Sequence, residues 1–327
     1  MPESLWNLKN VSLAGDLSNR LDNITLQINA GVTAIIGYSG AGKTSLLNLL
    51  AGMETASSGS ITSHISRTAI AESGFSLPLF WAPQDGGLWP HLTAIEHIRA
   101  VQNEQTSASA LISANSSDNW LGLFDLEHRQ HARPGELSKG EQSRLSIARA
   151  LAANSAVLLM DEPLTHVDPA RTPKYWNLIR EHIDKTGTSL LFCTHETAAV
   201  IRESQSVVCL ESGNVRYSGA SGQLYHNPPD AEVARFLGPI NWFTHEESAT
   251  WLSDSPAKQE KGGLRPEKIL LVADKNGPLQ ILSFQFSGSY AEAKLKHNSS
   301  SLEKTVVHRP PGDVHYSGQS VRIQVIP

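Results

Sequence analysis

The sequence has little cysteine and no long apolar run, and both absences narrow the class of protein. The two cysteines among 327 residues, Cys193 and Cys209, each lie inside an apolar run. Thiols in such positions are typical of core residues rather than of a disulfide or a metal site, and they favour a cytosolic protein. No stretch approaches the ~20 apolar residues that span a bilayer, and the opening MPESLWNLKN lacks signal-peptide features. We therefore expect another chain to cross any membrane involved.

The sequence also lacks an excess of basic residues. Lys and Arg total 27 against 32 Asp and Glu, for a formal net charge of −5, and the basic residues are scattered. Binding to a nucleic-acid backbone draws on clustered positive charge, so the composition argues against nucleic acid as a partner. The length predicts one large domain or two unequal ones, with a sizeable core.

Short β-rich apolar runs alternate with helical patterns from Val32 to about Leu210. Five runs are predicted as strands: VTAIIG, LFWAPQ, AVLLMDEP, SLLFCTH and SVVCLE. Because these runs show no polar alternation, they predict an α/β core with a mostly parallel sheet covered by helices.

Capping residues mark the helix ends. The run GKTSLLNLLAG predicts a helix from a Gly-rich turn to Gly52. A second helix is predicted to begin at a cap formed by Asp168 or Thr172 and to stop at Gly187. Residues 106–117 are rich in Ser and Ala and are predicted as a surface connection.

The composition changes after about Leu237. Residues 1–237 are predicted as the α/β domain and 238–263 as a linker. Residues 264–327 contain the β-type runs KILLV, LQILSFQF and SVRIQVIP, separated by Gly, Pro, Asn and Ser. They predict a small C-terminal β domain or barrel.

A phosphate-binding loop is the strongest local signal. Gly37, Gly42, Lys43 and Thr44 in GYSGAGKTS match G-x-x-x-x-G-K-[ST] between a predicted strand and a predicted helix. Backbone N–H groups and the positive helix end converge there, Lys43 is predicted to bridge the β- and γ-phosphates, and the Thr44 hydroxyl to ligate Mg²⁺. The remaining loop residues are nucleotide-binding candidates too: Tyr38, Ser39, Gly40, Ala41 and Ser45.

Two carboxylates follow the predicted strand AVLLMDEP. Asp161 is predicted to hold Mg²⁺ through water, and Glu162 to orient and deprotonate the attacking water. An isolated Asp-Glu pair after a strand is more often a capping or loop carboxylate. Downstream of a phosphate loop, the catalytic interpretation is favoured.

With both nucleotide motifs in place, LSKGEQSRLSIARALA resembles the LSGGQ signature region of ABC transporter ATP-binding subunits. The resemblance implies a homodimer in which Ser138, Lys139, Gly140 and Glu141 of one copy grip the γ-phosphate of ATP bound to the other. Lys139 and Glu141 depart from the Gly and Gln of the family pattern. The implied contact with the γ-phosphate has a physical basis. The Ser138 hydroxyl, the backbone N–H groups near Gly140 and the positive start of the helix would form a second anion-binding cradle.

Three further positions resemble family motifs. Gln84 is similar to the Q-loop glutamine, which reaches Mg²⁺ and the water; His195 is similar to the switch histidine near the γ-phosphate; Asp168 is similar to the D-loop aspartate. The family usually offers an aromatic residue before the phosphate loop for adenine to stack on, and VSLAGDLSNRLDN has none. Trp6 is expected to cover the first strand instead.

The C-terminal stretch LYHNPPDAEVARFLG, followed by GGLRPEKILLV, resembles importer subunits that serve molybdate, sulfate, ferric iron, polyamines or sugars. The resemblance implies a P-loop ABC-type nucleotide-binding domain with a helical subdomain, plus an OB-like β regulatory domain. It implies an ATPase that uses ATP and Mg²⁺, peripheral on the cytoplasmic side of the inner membrane. Implied partners are a second copy, integral permease subunits and an extracytoplasmic solute-binding protein.

Two other classes of nucleotide-binding protein compete with the importer interpretation. A soluble ABC ATPase acting on DNA, ribosomes or cluster assembly stays open, although one nucleotide domain, no heptads and a β tail favour the importer. A regulatory GTPase would need an N/T-K-x-D guanine motif, which the sequence lacks. The stretch GVTAIIGYSGAGKTSLLN and the missing aromatic favour the molybdate-type branch of these importers, whereas the short tail argues against it. No cargo is therefore assigned.

Overall fold

The computed structural model describes residues 3–65, 75, 77–102, 117–252, 262–309 and 317–326. The chain divides into two compact units, Met1–Ser221 and Gly222–Pro327. Of the predicted surface connection at 106–117, all but the last residue lies outside the described residues.

A six-stranded sheet forms the centre of the first unit. Its strands are β3 (Val32–Ile36), β5 (Leu77–Ala82), β6 (Ser155–Asp161), β7 (Ser189–Cys193), β8 (Ser206–Glu211) and β9 (Asn214–Ala220), in the order β5-β6-β7-β3-β8-β9. The first five strands in that order are parallel, and β9 runs antiparallel to β8. The five predicted runs form these parallel strands, so the prediction of a mostly parallel sheet is confirmed.

A second sheet is antiparallel, and its strands come from both sides of the phosphate loop in the chain. It contains β1 (Ser4–Leu13), β2 (Leu21–Asn29) and β4 (Ser58–Ser63), in the order β2-β1-β4. Trp6 on β1 is 1% exposed and belongs to the same core cluster as Ile35 of β3. Trp6 is therefore a core residue of this sheet, as the sequence predicts. The sheet itself was not predicted, although the alternation of apolar and polar residues in β2 is a signal of a half-buried strand.

Six helices lie wholly within the described part of the first unit: α1 (Lys43–Leu50), α2 (Ala94–Arg99), α3 (Ser117–Leu123), α4 (Lys139–Ala152), α5 (Thr172–Thr186) and α6 (Thr197–Glu203). Helix α5 ends at Gly187 with φ 75°, as predicted. Its predicted cap is wrong, because α5 follows Arg171 with no side-chain cap. Asp168 Oδ1 accepts instead from Ala170 N in the preceding turn, and Thr172 is already helical.

The second unit is largely an antiparallel β structure. After α7 (Ser221–His226), it contains α8 (Ala231–Arg235), β10 (Asn241–Phe243), α9 (His245–Trp251) and β11 (Gly262–Leu264). A five-stranded sheet follows with β12 (Ile269–Ala273), β13 (Leu279–Phe286), β14 (Ala291–His297), β15 (Glu303–His308) and β16 (Ser320–Val325), in the order β12-β16-β13-β14-β15. The three predicted C-terminal runs correspond to β12, β13 and β16, which supports a small β domain at this end of the chain.

The compact units divide earlier in the chain than the predicted domain boundary at 237. Residues 238–263, predicted as a linker, contain β10, α9 and the first two residues of β11 among their described part. A buried arginine explains why the second unit begins before residue 237. Arg265 is 4% exposed, and its guanidinium donates to the carbonyl oxygens of Tyr225, Ala234, Gly238 and Pro239. These bonds attach residues 225–239 to the second unit.

Candidate nucleotide-binding site

A cavity of about 330 Å³ opens at the carboxyl ends of the central strands, where parallel sheets place their ligands. Eleven residues line it: Arg20, Ser39, Gly40, Gly42, Lys43, Thr44, Ser45, Gln84, Asp161, Glu162 and His195. Ten of these are residues that the sequence analysis singled out. The cavity therefore brings together the phosphate loop, the carboxylate pair and the residues that follow β5 and β7.

The phosphate loop has the geometry of an anion cradle. Gly42 precedes α1 with φ 102°, and a Cβ atom there would lie 2.7 Å from the Arg20 carbonyl oxygen. A side chain is therefore excluded by both conformation and space. Lys43 is 8% exposed, and its Nζ donates to the carbonyl oxygens of Gly37 at 2.9 Å and Tyr38 at 3.2 Å. The loop thus holds its own lysine beside the positive end of α1.

Thr44 connects the loop to the carboxylate pair. Its Oγ1 donates to Asp161 Oδ2 at 2.6 Å. Burial raises the pKa of Asp161 above its ordinary value and the Glu162 charge acts in the same direction, whereas the Thr44 hydrogen bond and the Lys43 charge oppose the rise. Hydroxyl and carboxylate oxygens are ligands that Mg²⁺ prefers. No cluster of three or more His, Cys, Asp or Glu able to hold a metal ion occurs in the described residues.

Glu162 is buried and conformationally strained at the end of β6. It is 7% exposed and has φ 52°, in the left-handed region that non-glycine residues rarely adopt. Its Oε2 accepts from Thr165 Oγ1 at 2.8 Å, and its Oε1 lies 3.0 Å from His195 Nε2. That imidazole is not aligned for a hydrogen bond, so among the described residues Oε1 has no hydrogen-bond partner. A carboxylate that is held in place, with one oxygen that has no hydrogen bond, is suited to act as a general base.

Gln84 lies in a loop that α4 holds in place. The carbonyl oxygen of Gly86 accepts from Ser146 Oγ at 2.9 Å and from Arg149 Nη2 at 2.9 Å. The Gly87 carbonyl oxygen accepts from Arg149 Nη1 at 2.8 Å. Arg149 is 2% exposed, and burial lowers its pKa to about 10, so it stays charged at neutral pH. Sequence reasoning missed Ser146 and Arg149, although both stand in the quoted SIARALA.

The signature residues form the start of α4. Ser138 Oγ accepts from Glu141 N at 3.3 Å, while the Glu141 carboxylate accepts from Ser138 N at 2.8 Å and pairs with Arg129. Burial would raise the pKa of Glu141, but the Ser138 and Arg129 interactions hold it below its usual value. Glu141 thus takes the N3 position of a capping box, in the first turn of α4, which explains a Glu at this site.

Gly140 meets a steric requirement of its own chain. A Cβ atom at Gly140 would lie 2.9 Å from the His166 carbonyl oxygen, in the segment that leads to Asp168. The glycine therefore allows the start of α4 to approach that segment closely.

Several predicted site residues do not line the cavity of their own chain. These are the loop residues Gly37, Tyr38 and Ala41, the signature residues Ser138, Lys139, Gly140 and Glu141, and Asp168. The phosphate loop thus contributes to the cavity of its own chain, whereas Ser138, Lys139 and Asp168 are exposed to solvent outside its lining. Arg20 lines the cavity but carried no motif that sequence reasoning could find.

Comparison with known proteins agrees with this geometry. A family model described as "ABC transporter" matches residues 21–165. Residues 21–165 thus correspond to an ABC transporter ATP-binding domain. The ABC domain is similar to an Fe(3+) ions import ATP-binding protein of Pectobacterium atrosepticum, with 33% identity over 66% of this chain and 62% of that protein.

Two other relatives are import proteins. A sulfate/thiosulfate import ATP-binding protein of Shewanella oneidensis is 29% identical over 77% of this chain and 73% of its own length. A spermidine/putrescine import ATP-binding protein of Mannheimia succiniciproducens is 32% identical over 68% of this chain and 60% of its own length. Measured against the iron and polyamine relatives, the chain spans less than two thirds of their length.

Solved structures share the fold of the ABC domain. An ATP-binding subunit of an ABC transporter has a TM-score of 0.56 at 23% identity, over 71% of this chain and 99% of that one. A dimeric ATP-binding cassette with bound ADP and Pi has a TM-score of 0.53 at 23% identity, over 66% of this chain and 98% of that one. Among the residues that the structure describes, no helix combines the length and apolarity that crossing a membrane requires.

Proposed function

We propose that this protein is the ATP-hydrolysing subunit of an ABC importer, with MgATP bound in the cavity of the ABC domain. The observation that carries the proposal is the convergence of the phosphate loop, Asp161, Glu162 and His195 on one cavity. The import ATP-binding relatives support the transport role, since their similarity extends beyond residue 165 of the family match.

In this proposal the residues of the cavity act on the terminal phosphate. Lys43 leaves its two loop carbonyls for the β- and γ-phosphates. Thr44, Gln84 and, through water, Asp161 would hold Mg²⁺, which would neutralise developing charge. Glu162 accepts the proton of the attacking water through Oε1 as the water oxygen bonds to the γ-phosphorus and the bond to ADP breaks. His195, 3.0 Å from that oxygen and half exposed, then lies beside the transferred group.

The outward-facing signature favours a homodimer. Ser138 and Lys139 are exposed at the start of α4, and the cavity of the same chain does not include them. A second copy would complete the site with Ser138, Lys139 and Gly140, positioned by the Glu141 capping box, and with Asp168 nearby. ATP then joins the two copies, and hydrolysis releases them.

The remaining partners follow from the importer assignment. The dimer would attach to integral permease subunits on the cytoplasmic side of the inner membrane and serve an extracytoplasmic solute-binding protein. The cargo class is a small solute or ion of the molybdate, sulfate, ferric iron or polyamine type. Capture of an integral permease by the tagged protein from native membranes tests this part, because a soluble ABC ATPase would bring down none.

The decisive experiment is the variant Glu162→Gln, which keeps the shape of the side chain and removes the base. We expect MgATP affinity within about threefold of the parent, phosphate release at least ~100-fold slower, and an ATP-dependent dimer on gel filtration. Adding Ser138→Ala to Glu162→Gln should weaken that dimer. Hydrolysis at the parental rate by Glu162→Gln would refute the role given to Glu162.

A further inference from the structure

Arg20 is the cavity residue that phosphate binding and hydrolysis do not use. It precedes β2, and its side chain is 44% exposed. Its Nη1 and Nη2 donate to the two carboxylate oxygens of Glu54, and its Nε donates to the Ala14 carbonyl oxygen at 3.3 Å. Asn48 Nδ2 donates to the same Glu54 carboxylate at 3.0 Å, which fixes Glu54 in turn. The guanidinium plane is therefore held on its edge by neighbours on two sides.

This anchoring engages the edge of the guanidinium, and the Arg20 side chain is still 44% exposed. Three of its nitrogens already donate within the chain, and its charge is paired with Glu54. A cation in that state is a poor partner for a phosphate, because the best donors and the charge are already engaged. A planar guanidinium with an open face is instead suited to stacking on an aromatic ring.

Arg20 lines the cavity beside the phosphate loop. Its carbonyl oxygen lies 2.7 Å from the position of a Cβ at Gly42, where α1 begins. With the terminal phosphate assigned to Glu162 and His195 and the other phosphates to the loop, Arg20 is the planar side chain of the lining that is left for the base. None of the eleven lining residues is Phe, Tyr or Trp.

We infer that Arg20 recognises the nucleotide base by stacking its guanidinium plane on the ring, with Glu54 as the residue that positions it. The inference rests on the proposed binding of ATP in this cavity. It assigns to Arg20 the place of the aromatic residue that the sequence lacks. Since stacking uses the ring face and reads no base edge, Arg20 supports adenine and guanine alike.

The test separates the base from the phosphates. Titration calorimetry on the full chain compares two probes, MgATP and magnesium tripolyphosphate, which has no base. For Arg20→Ala we expect MgATP affinity to fall about 5- to 100-fold, while tripolyphosphate affinity changes less than about twofold. Arg20→Lys keeps the charge without the plane and should behave like Arg20→Ala. Arg20→Trp supplies a ring and should restore MgATP affinity.

Two further measurements keep the outcome unambiguous. Glu54→Gln leaves Arg20 in place but unpaired, and an intermediate loss for MgATP alone is expected. MgGTP should follow MgATP in every variant. A parallel loss of both probes in Arg20→Ala would show a phosphate contact, and an unchanged MgATP affinity would show a bystander; either result overturns the inference. If the parent protein binds neither probe, the proposed function fails instead.

Discussion

Thr44 and Asp161 are hydrogen bonded across the nucleotide cavity, with 2.6 Å between Oγ1 and Oδ2, although they lie 117 positions apart in the chain. The bond joins the first turn of α1 to the end of β6. Two motifs that are separate in the sequence therefore meet in the folded chain. In the proposed function the Thr44 hydroxyl, and Asp161 through water, would hold Mg²⁺.

Removing the Thr44 hydroxyl should uncouple nucleotide binding from Mg²⁺. We expect Thr44→Val to lower MgATP affinity at least ~10-fold, on the scale of one lost hydrogen bond to a charged group, and to bind ATP equally with and without Mg²⁺. Thr44→Ser keeps the hydroxyl and should retain the Mg²⁺ dependence. Nucleotide titrations with Mg²⁺ or with a chelator measure both effects. Parental Mg²⁺ dependence in Thr44→Val would count against the proposed ligand set.

Arg149 should matter to both stability and turnover, because it holds the loop that carries Gln84. Arg149→Ala leaves the buried Gly86 carbonyl and the half-buried Gly87 carbonyl without their arginine donors, which costs roughly 2–4 kcal/mol of unfolding free energy. We also expect slower ATP hydrolysis. The control is Arg180→Ala, which removes a half-exposed arginine paired with Glu203. Because the buried Glu203 carboxylate keeps its ion pair with Arg202, the change should cost under about 1 kcal/mol.

Urea unfolding and phosphate release measure the two Arg149 effects. Equal stability losses in the Arg149 and Arg180 variants would contradict the role given to the buried arginine.

His182 should make the protein less stable in mild acid. It is 8% exposed beside Trp120, and burial lowers its pKa to about 4 from 6.5. Below pH 6.5 the unfolded chain takes up the proton first, so the free energy of unfolding falls with decreasing pH. From pH 7 to pH 5 this residue should remove about 2 kcal/mol. His182→Leu should lose that component, whereas His131→Leu, at an exposed histidine, should keep it.

Urea titrations at pH 7 and pH 5 test the His182 prediction. The same change of stability with pH in the parent and in His182→Leu would show that another group is responsible.

The second unit should fold by itself only when it begins near Gly222. A fragment of residues 222–327 contains every carbonyl that binds Arg265, whereas a fragment of 238–327 lacks those of Tyr225 and Ala234. Leaving a buried arginine with half of its acceptors is costly. We therefore expect cooperative urea unfolding for the longer fragment and none for the shorter. Two fragments of equal stability would move the boundary to 237.

The phosphate loop, the central strands and the order of the carboxylate, signature and histidine motifs could be predicted from the sequence. Each is encoded by residues close together in the chain: Gly42 and Lys43 share one turn, and the buried strands are uninterrupted apolar runs. The cap of α5 could not be predicted reliably, because Asp168, Thr172 and Pro173 all offer local signals. Only the folded backbone shows that Asp168 binds Ala170 instead.

The sequence by itself thus determined the chemistry of the site, because phosphate-binding and catalytic groups must stand at particular steps along a strand, turn and helix. Tertiary structure alone decided which distant residues reach that chemistry. Arg20 lines the cavity because β2 packs against the start of α1, Arg149 holds the Gln84 loop because α4 lies beside it, and Ser138 faces away from its own cavity. Such contacts depend on how sheets and helices pack. Hydrophobic periodicity predicts which face of an element is buried, but it does not identify which distant residues meet there.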